Sequence, residues 1–238
     1  MAKAPRVGDV KTRLVPPLLS EEAADLSECF LKDIAENILA AAEQAPIHGY
    51  VAYSPAGSGA LFRSLLPAAI ELLPPRRSGL GNSLCDAAAD LLATGYSAAC
   101  LVNADSPTLP TALLVEAAQA LLRPGDRVVL GPASDGGYYL IGLKRPHRHL
   151  FEDIAWSTAM VMAQTCERAA SLGLETALLP VWYDVDDLAS LHLLIAELRD
   201  SVGYGAPHTA SYLRRLLAAD AGMRGLDAKN QADPNSDR

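Results

Sequence analysis

Short apolar runs alternate with stretches of helical periodicity along most of this chain, and that alternation narrows the fold more than any other feature. Leu26, Phe30, Ile34 and Ile38 recur every fourth position, placing one apolar stripe on a helix over about 20–45, with Ser20 as its cap and Glu21-Glu22 in its first turn. Gly49–Tyr53 reads as a strand, 59–73 as a helix stopped by Pro74-Pro75, and 83–93 as another helix. Ala98–Val102 is an unbroken apolar run, as in a strand covered on both faces. Helices follow at Pro110–Leu122, from Ser157 to about Leu172, at Asp187–Leu198 and at about 207–219, with a strand at Leu174–Val181. Such an order predicts an α/β protein with a mainly parallel central sheet and helices on both faces. The runs 127–130 and 138–143 lie too close for a crossover helix, which predicts one antiparallel strand. No repeat or linker divides the chain, so we read one domain over 1–219 and a flexible polar tail over 220–238.

Bulk properties exclude several classes. The net charge of −8 argues against a nucleic-acid polymer or a membrane surface as partner. Lys3, Arg6, Lys11 and Arg13 nevertheless face a single Asp9 within the first twenty residues, a local cationic patch suited to a small anionic ligand. Cys29, Cys85, Cys100 and Cys166 form no C-x-x-C pair, so buried thiols of a cytoplasmic protein are expected rather than a zinc site or disulfides. Residues 1–20 lack the apolar core of a signal peptide, and no apolar run is long enough to insert in a membrane. There is no P-loop and no G-x-S-x-G elbow, and GLGNSL (79–84) follows a loop rather than a strand. His147 and His149 have no partner at metal-ligand spacing and mark a surface turn.

Ligands of parallel sheets bind outside the carboxyl ends of the strands. Those ends carry Asn103-Ala-Asp105-Ser-Pro, then Asp135-Gly136-Gly137, then Tyr183-Asp184-Val-Asp186-Asp187. Carboxylates from separate strand ends can hold Mg²⁺ or Mn²⁺, with phosphate oxygens completing the shell and Lys and Arg neutralising the rest. Each piece has a plainer reading. Asp105 fits a cap for the helix near Pro110, Asp184–Asp187 fit caps for the helix after them, Asp135-Gly-Gly fits a hairpin turn, and Trp156 fits a staple.

Six segments occur here in one order: AKAPRVGDVKTRL (2–14), SGLGNSL (78–84), NADSPTLP (103–110), GPASDGGYYLIGL (131–143), WST (156–158) and YDVDDL (183–188). Together they resemble a bacterial family of glycosyltransferase-like nucleotide-diphospho-sugar transferases of the GT-A fold. That family includes arsenosugar-biosynthesis glycosyltransferase-like members. It is related to 2-phospholactate guanylyltransferase and to molybdenum-cofactor guanylyltransferase. The resemblance implies nucleotide and phosphate contacts at Lys3, Gly8, Lys11, Arg13 and Gly81. It implies metal ligation by Asp105 and Asp186, catalytic roles for Asp105 and Asp135, and an acceptor site at Gly136, Gly137, Tyr138 and Trp156. The implied substrates are a nucleotide sugar and a small-molecule acceptor, with Mg²⁺ or Mn²⁺ as cofactor. Nucleotidyl transfer from an NTP to a small phosphorylated acid, and an inactive nucleotide-binding scaffold, remain alternatives. The chain departs from the family pattern at Asn103, which replaces the first acid of D-x-D, and at Asp187, which replaces a Thr. Relatives also carry an apolar strand before the AKAP loop. Here residues 7–14 are expected to compensate for it, unless the true start lies upstream.

Overall fold

The computed structural model describes residues 1–200 and 203–230. Its elements run β1 (Ala2–Lys3), α1 (Ser20–Ala42), β2 (Tyr50–Ser54), α2 (Gly59–Leu65), β3 (Glu71–Leu73), α3 (Leu80–Ala93) and β4 (Ala99–Val102). They continue with α4 (Thr111–Leu122), β5 (Arg127–Pro132), β6 (Tyr138–Leu143), α5 (Val161–Ser171), β7 (Glu175–Leu178), α6 (Leu188–Asp200) and α7 (Pro207–Asn230). Part of the tail expected over 220–238, residues 231–238, lies outside the described residues.

The strands form two sheets, ordered β1-β2-β3 and β4-β6-β5-β7. The first is wholly parallel. In the second, β5 and β7 pair in parallel while β6 runs antiparallel to both of its neighbours, so β6 is the one antiparallel strand. Its apolar run explains its central place: Tyr139, Leu140, Ile141 and Leu143 on β6, and Val128–Leu130 on β5, are all fully buried. Each such side chain contributes about 1.5–3 kcal/mol on removal from water.

The α1 stripe does more than face one sheet. Leu26 and Phe30 pack with Leu191, Leu194 and Leu213 of α6 and α7, whereas Ile34 packs on α4 and β6. Leu31 and Ala35 meet Val51 of β2. The helix is therefore buried on more than one side, and Asp33 and Asn37 are buried with its apolar residues, hydrogen-bonded to α7 and to Leu109 O.

Three local expectations change. The helix read over 59–73 stops at Leu65, because Pro67 has no N–H to continue it, and Glu71–Leu73 instead pairs with β2. The N-cap of α1 is Leu19, whose N–H is accepted by Glu22 Oε2 at 2.8 Å, so Ser20 is already helical. Ser157 does not cap α5, which begins at Val161 after Met160; Ser157 holds a left-handed backbone, φ 64°.

Residues 7–14 do not add a strand. They form a turn and a 3-10 segment, Thr12–Leu14, beyond the two-residue β1. Toward the second sheet, Tyr50–Ala52 of β2 has no strand partner among the described residues, and neither does the outer edge of β4. A cavity of about 180 Å³ separates these edges, lined by Val51, Ala52, Cys100, Leu101, Ile34 and Leu121 among others. The Met1 amine closes one end by donating to Val102 O at 2.8 Å. Burial draws this amine down to about 6, against an opposing pull from Asp105.

Candidate active site

Four chain segments converge, the loops that follow β1, β4 and β7 and the turn between β5 and β6. The loop after β4 carries Asp105, and Val185 N donates to Asp105 O at 2.8 Å, which aligns 182–186 beside it. The same segment bridges Ala133, and Ser134 N donates to Trp182 O at 2.9 Å, tying it to the β5–β6 turn. The loop after β1 supplies Lys11 and Arg13. Residues distant in sequence thus meet through backbone hydrogen bonds that do not depend on the acids themselves.

At the centre, Lys11 Nζ donates to both Asp105 Oδ1 and Asp186 Oδ1, the latter at 3.0 Å, and Arg13 holds Asp186 Oδ2 at 2.8 Å. The Lys11 side chain is 4% exposed, while the Asp105 and Asp186 side chains are 43% and 36% exposed. Burial pulls the Lys11 ammonium down, but the charges of Asp105 and Asp186 outweigh it and hold its pKa above the ordinary lysine value. The carboxylates therefore open to solvent on one side and share an internal cation on the other. Their donor set is oxygen only and partly open to solvent, which fits a hard divalent ion, although Lys11 and Arg13 occupy these oxygens here. Asp105 does not cap α4, whose N-cap is Pro110.

Asp184, one of the strand-end acids, does not cap α6. Burial pushes its carboxyl up to about 6, and the charges of Asp135, Asp186 and Asp105 add to the effect. It is thus the side chain that feels all three of the other acids. Its position in YDVDDL was the available signal, but alternation along an extended segment does not reveal which acid turns inward. Asp187 takes the capping role instead, accepting Ser190 N at 2.9 Å at the start of α6.

One cavity lies at this centre, and a second meets it through Met1, Ala2 and Lys3. The first, about 210 Å³, is lined by Lys3, Asp9, Lys11, Ser27, Asp105 and Asp186. The second, about 610 Å³, is lined by Lys3, Ser54, Arg77, Ser78, Gly79 and Ser83, among others. Lys3 Nζ donates to Asp9 O at 2.7 Å across the exposed turn that contains Gly8, φ 79°. The α3 N-terminus opens onto the larger cavity with Gly79 as N-cap and no side-chain cap.

The remaining sequence candidates lie elsewhere around the rim. Asp135 is exposed in the β5–β6 turn and accepts Gly137 N at 2.8 Å. A Cβ on Gly136, φ 91°, would come within 2.5 Å of Ala159 O, so this turn needs glycine there. Asp135-Gly-Gly is a hairpin turn, and its carboxylate also faces the acid cluster through Asp184. Gly81 is buried in the first turn of α3, where a Cβ would lie 2.7 Å from Trp156 Nε1. Tyr138 meets Trp156 edge to face at 6.4 Å, and both pack against the core of the second sheet. The structure thus groups Gly81, Tyr138 and Trp156 together, apart from the Lys11–Asp105–Asp186 centre.

A second group of ligand-type atoms, on Asp33, Glu36 and His208, reads as a helix anchor. Asp33 accepts His208 N at 3.0 Å and Thr209 N at 2.8 Å at the start of α7, and a helix N-terminus disfavours a cation.

The two-sheet α/β architecture matches a nucleotide-diphospho-sugar transferase fold. A crystal structure from Desulfovibrio desulfuricans G20, described as a "putative nucleotide-diphospho-sugar transferase", superposes with a TM-score of 0.79 at 28% identity, covering 91% of this chain and 92% of that one. Residues 37–158 match the family model described as "Uncharacterized protein conserved in bacteria (DUF2064)", and the chain belongs to that family. CMP:2-keto-3-deoxy-manno-octonic acid synthetase complexed with CTP aligns at 12% identity over 73% of this chain and 88% of that one, with a TM-score of 0.49, too low to bear on this chain. No curated protein matches.

Proposed function

We propose that this chain is a metal-dependent transferase that uses a nucleotide sugar as donor. The observation that carries this reading is the meeting of Lys11, Arg13, Asp105 and Asp186 at a small cavity that Lys3 links to a larger one of about 610 Å³. That volume suits a nucleoside. The uncapped α3 N-terminus and Lys3, Lys11 and Arg13 offer N–H donors and positive charge to a diphosphate. Asp105 and Asp186 would hold Mg²⁺ or Mn²⁺, which when bound supplies Lewis-acid stabilisation of the leaving diphosphate. Asp135 lies at the rim, where an acceptor hydroxyl attacking the anomeric carbon can pass it a proton. Gly136, Gly137, Tyr138 and Trp156 would shape the acceptor side. The fold shared with the Desulfovibrio protein supports the donor class.

The test is incubation of the purified chain with Mn²⁺ and a panel of nucleotide sugars, assayed for nucleoside diphosphate, with Asp105→Asn as control. Release of nucleoside diphosphate by the wild type alone is the expected result. Pyrophosphate released from an NTP instead would replace this reading with nucleotidyl transfer. Metal-dependent nucleotide binding without turnover of either kind would leave a binding protein.

A further inference from the structure

We propose that Lys11 is the resident counter-ion of Asp105 and Asp186, and that a divalent ion gains those carboxylates only by displacing the Lys11 ammonium. This rests on the reading of the two acids as cation ligands.

The geometry leaves the ammonium and a divalent ion in competition. Lys11 Nζ uses Oδ1 of both Asp105 and Asp186, so a cation bridging the same two oxygens would sit on the lysine nitrogen. Two positive charges at that separation repel strongly in a partly buried site. Lys11 is also the buried member of the cluster, 4% exposed against 43% and 36% for its partners. Its side chain lies over the Phe30 ring, with Nζ 5.3 Å from the ring centre. Its backbone is held left-handed, φ 49° and ψ 35°, and Leu14 N donates to Lys11 O at 2.9 Å. A non-glycine residue kept in that conformation is a built position. Arg13, 67% exposed, is a freer partner and can leave Asp186 at little cost.

Displacement has a chemical consequence. The freed ammonium emerges beside Lys3 and the cavity that both residues line. There it becomes a donor for a phosphate oxygen. Cation binding thereby adds positive charge to the anion site twice, once directly and once through Lys11.

Calorimetric titration of Mn²⁺ into the wild type, Lys11→Met and the Asp105→Asn/Asp186→Asn double variant tests this. Met keeps the length and the packing over Phe30. Lys11→Met should bind Mn²⁺ about tenfold tighter or more, because two charge-assisted hydrogen bonds no longer compete. Reductive methylation of the wild type, read by mass spectrometry, needs no variant. Lys11 should be protected without Mn²⁺ and modified several times faster with it.

Equal or weaker Mn²⁺ binding by Lys11→Met, or Lys11 still protected in the Mn²⁺-saturated wild type, overturns displacement. If the acid pair is still needed for Mn²⁺ in that case, the cation-ligand reading survives. If the wild type and Lys11→Met bind no Mn²⁺, or the double variant binds it as well as they do, that reading fails and this inference with it.

Discussion

Lys11 and Asp186 stand 175 positions apart in the chain and 3.0 Å apart in space. Neither belongs to a helix or strand, so the contact is held by the loops that follow β1 and β7. The ion pair is both a structural tie and the core of the proposed site, and the two roles separate on mutation.

Asp105→Asn removes one of the two acids on a nearly buried ammonium. Lys11 keeps only Asp186, so urea unfolding should show a loss of about 1–3 kcal/mol. Mn²⁺ affinity should fall by about a hundredfold or more in the same protein. Unchanged stability would mean that Lys11 is solvated in solution.

Asp184 gives the fold a pH dependence with a definite sign. Burial first, then Asp135, Asp186 and Asp105, raise its carboxyl from 3.8 to about 6. The folded chain binds this proton more tightly than the unfolded chain. Asp184 therefore weakens the fold as pH rises from 3.8 to about 6, and the cost is fully present at neutral pH. Asp184→Asn should be more stable than wild type by roughly 1–2 kcal/mol at neutral pH in metal-free buffer, a figure discounted for partial exposure, with no gain below the ordinary carboxylate range. Denaturant curves on both sides of this window provide the check, and a variant less stable at neutral pH would contradict it.

Gly81→Ala would place a methyl group 2.7 Å from Trp156 Nε1 and 2.9 Å from Phe151 O. A loss of about 1–3 kcal/mol is expected from overpacking. Adding Trp156→Phe relieves the first contact but not the second, so thermal melts should show partial recovery. Full stability in the single variant would show that the α3–Trp156 contact is loose.

All four thiols should be sluggish. Burial pushes Cys29 up to about 11 and Cys100 up to about 12, and raises Cys85 and Cys166 as well. Cys100 has free surface, yet that surface faces the apolar cavity between β2 and β4. Thiol-disulfide reagents at mildly alkaline pH should modify Cys100 on the order of a hundredfold more slowly in the native chain than after unfolding.

The sequence discloses what depends on local pattern. Leu26, Phe30 and Ile34 mark α1 because apolar side chains at helical spacing must share a face, and all three are buried. The short interval between β5 and β6 forces antiparallel pairing, and the register from Val128↔Leu143 to Pro132↔Tyr138 follows. What pattern does not disclose is where a chain of extended backbone turns its acids. Asp105 and Asp186 are aligned by the Val185 N–Asp105 O hydrogen bond with Lys11 between their carboxylates, and Asp184 is half-buried near the bridge from Trp182 to Ala133. Nor does pattern disclose what surrounds a glycine. At Gly81 the atoms that a side chain would meet belong to Trp156 and Phe151.

The gap between β2 and β4 divides the molecule along a meaningful line. Lys3 belongs to the half with β1, β2 and β3, while Asp105 and Asp135 belong to the half with β4, β5 and β6. No ladder of backbone hydrogen bonds joins those halves across the gap among the described residues, so helix packing, the Met1 amine and the Lys11 and Arg13 ion pairs connect them. Deuterium should enter the gap-facing peptide groups of Tyr50–Ala52, which pair on the other side only with β3, ahead of those locked between β5 and β6.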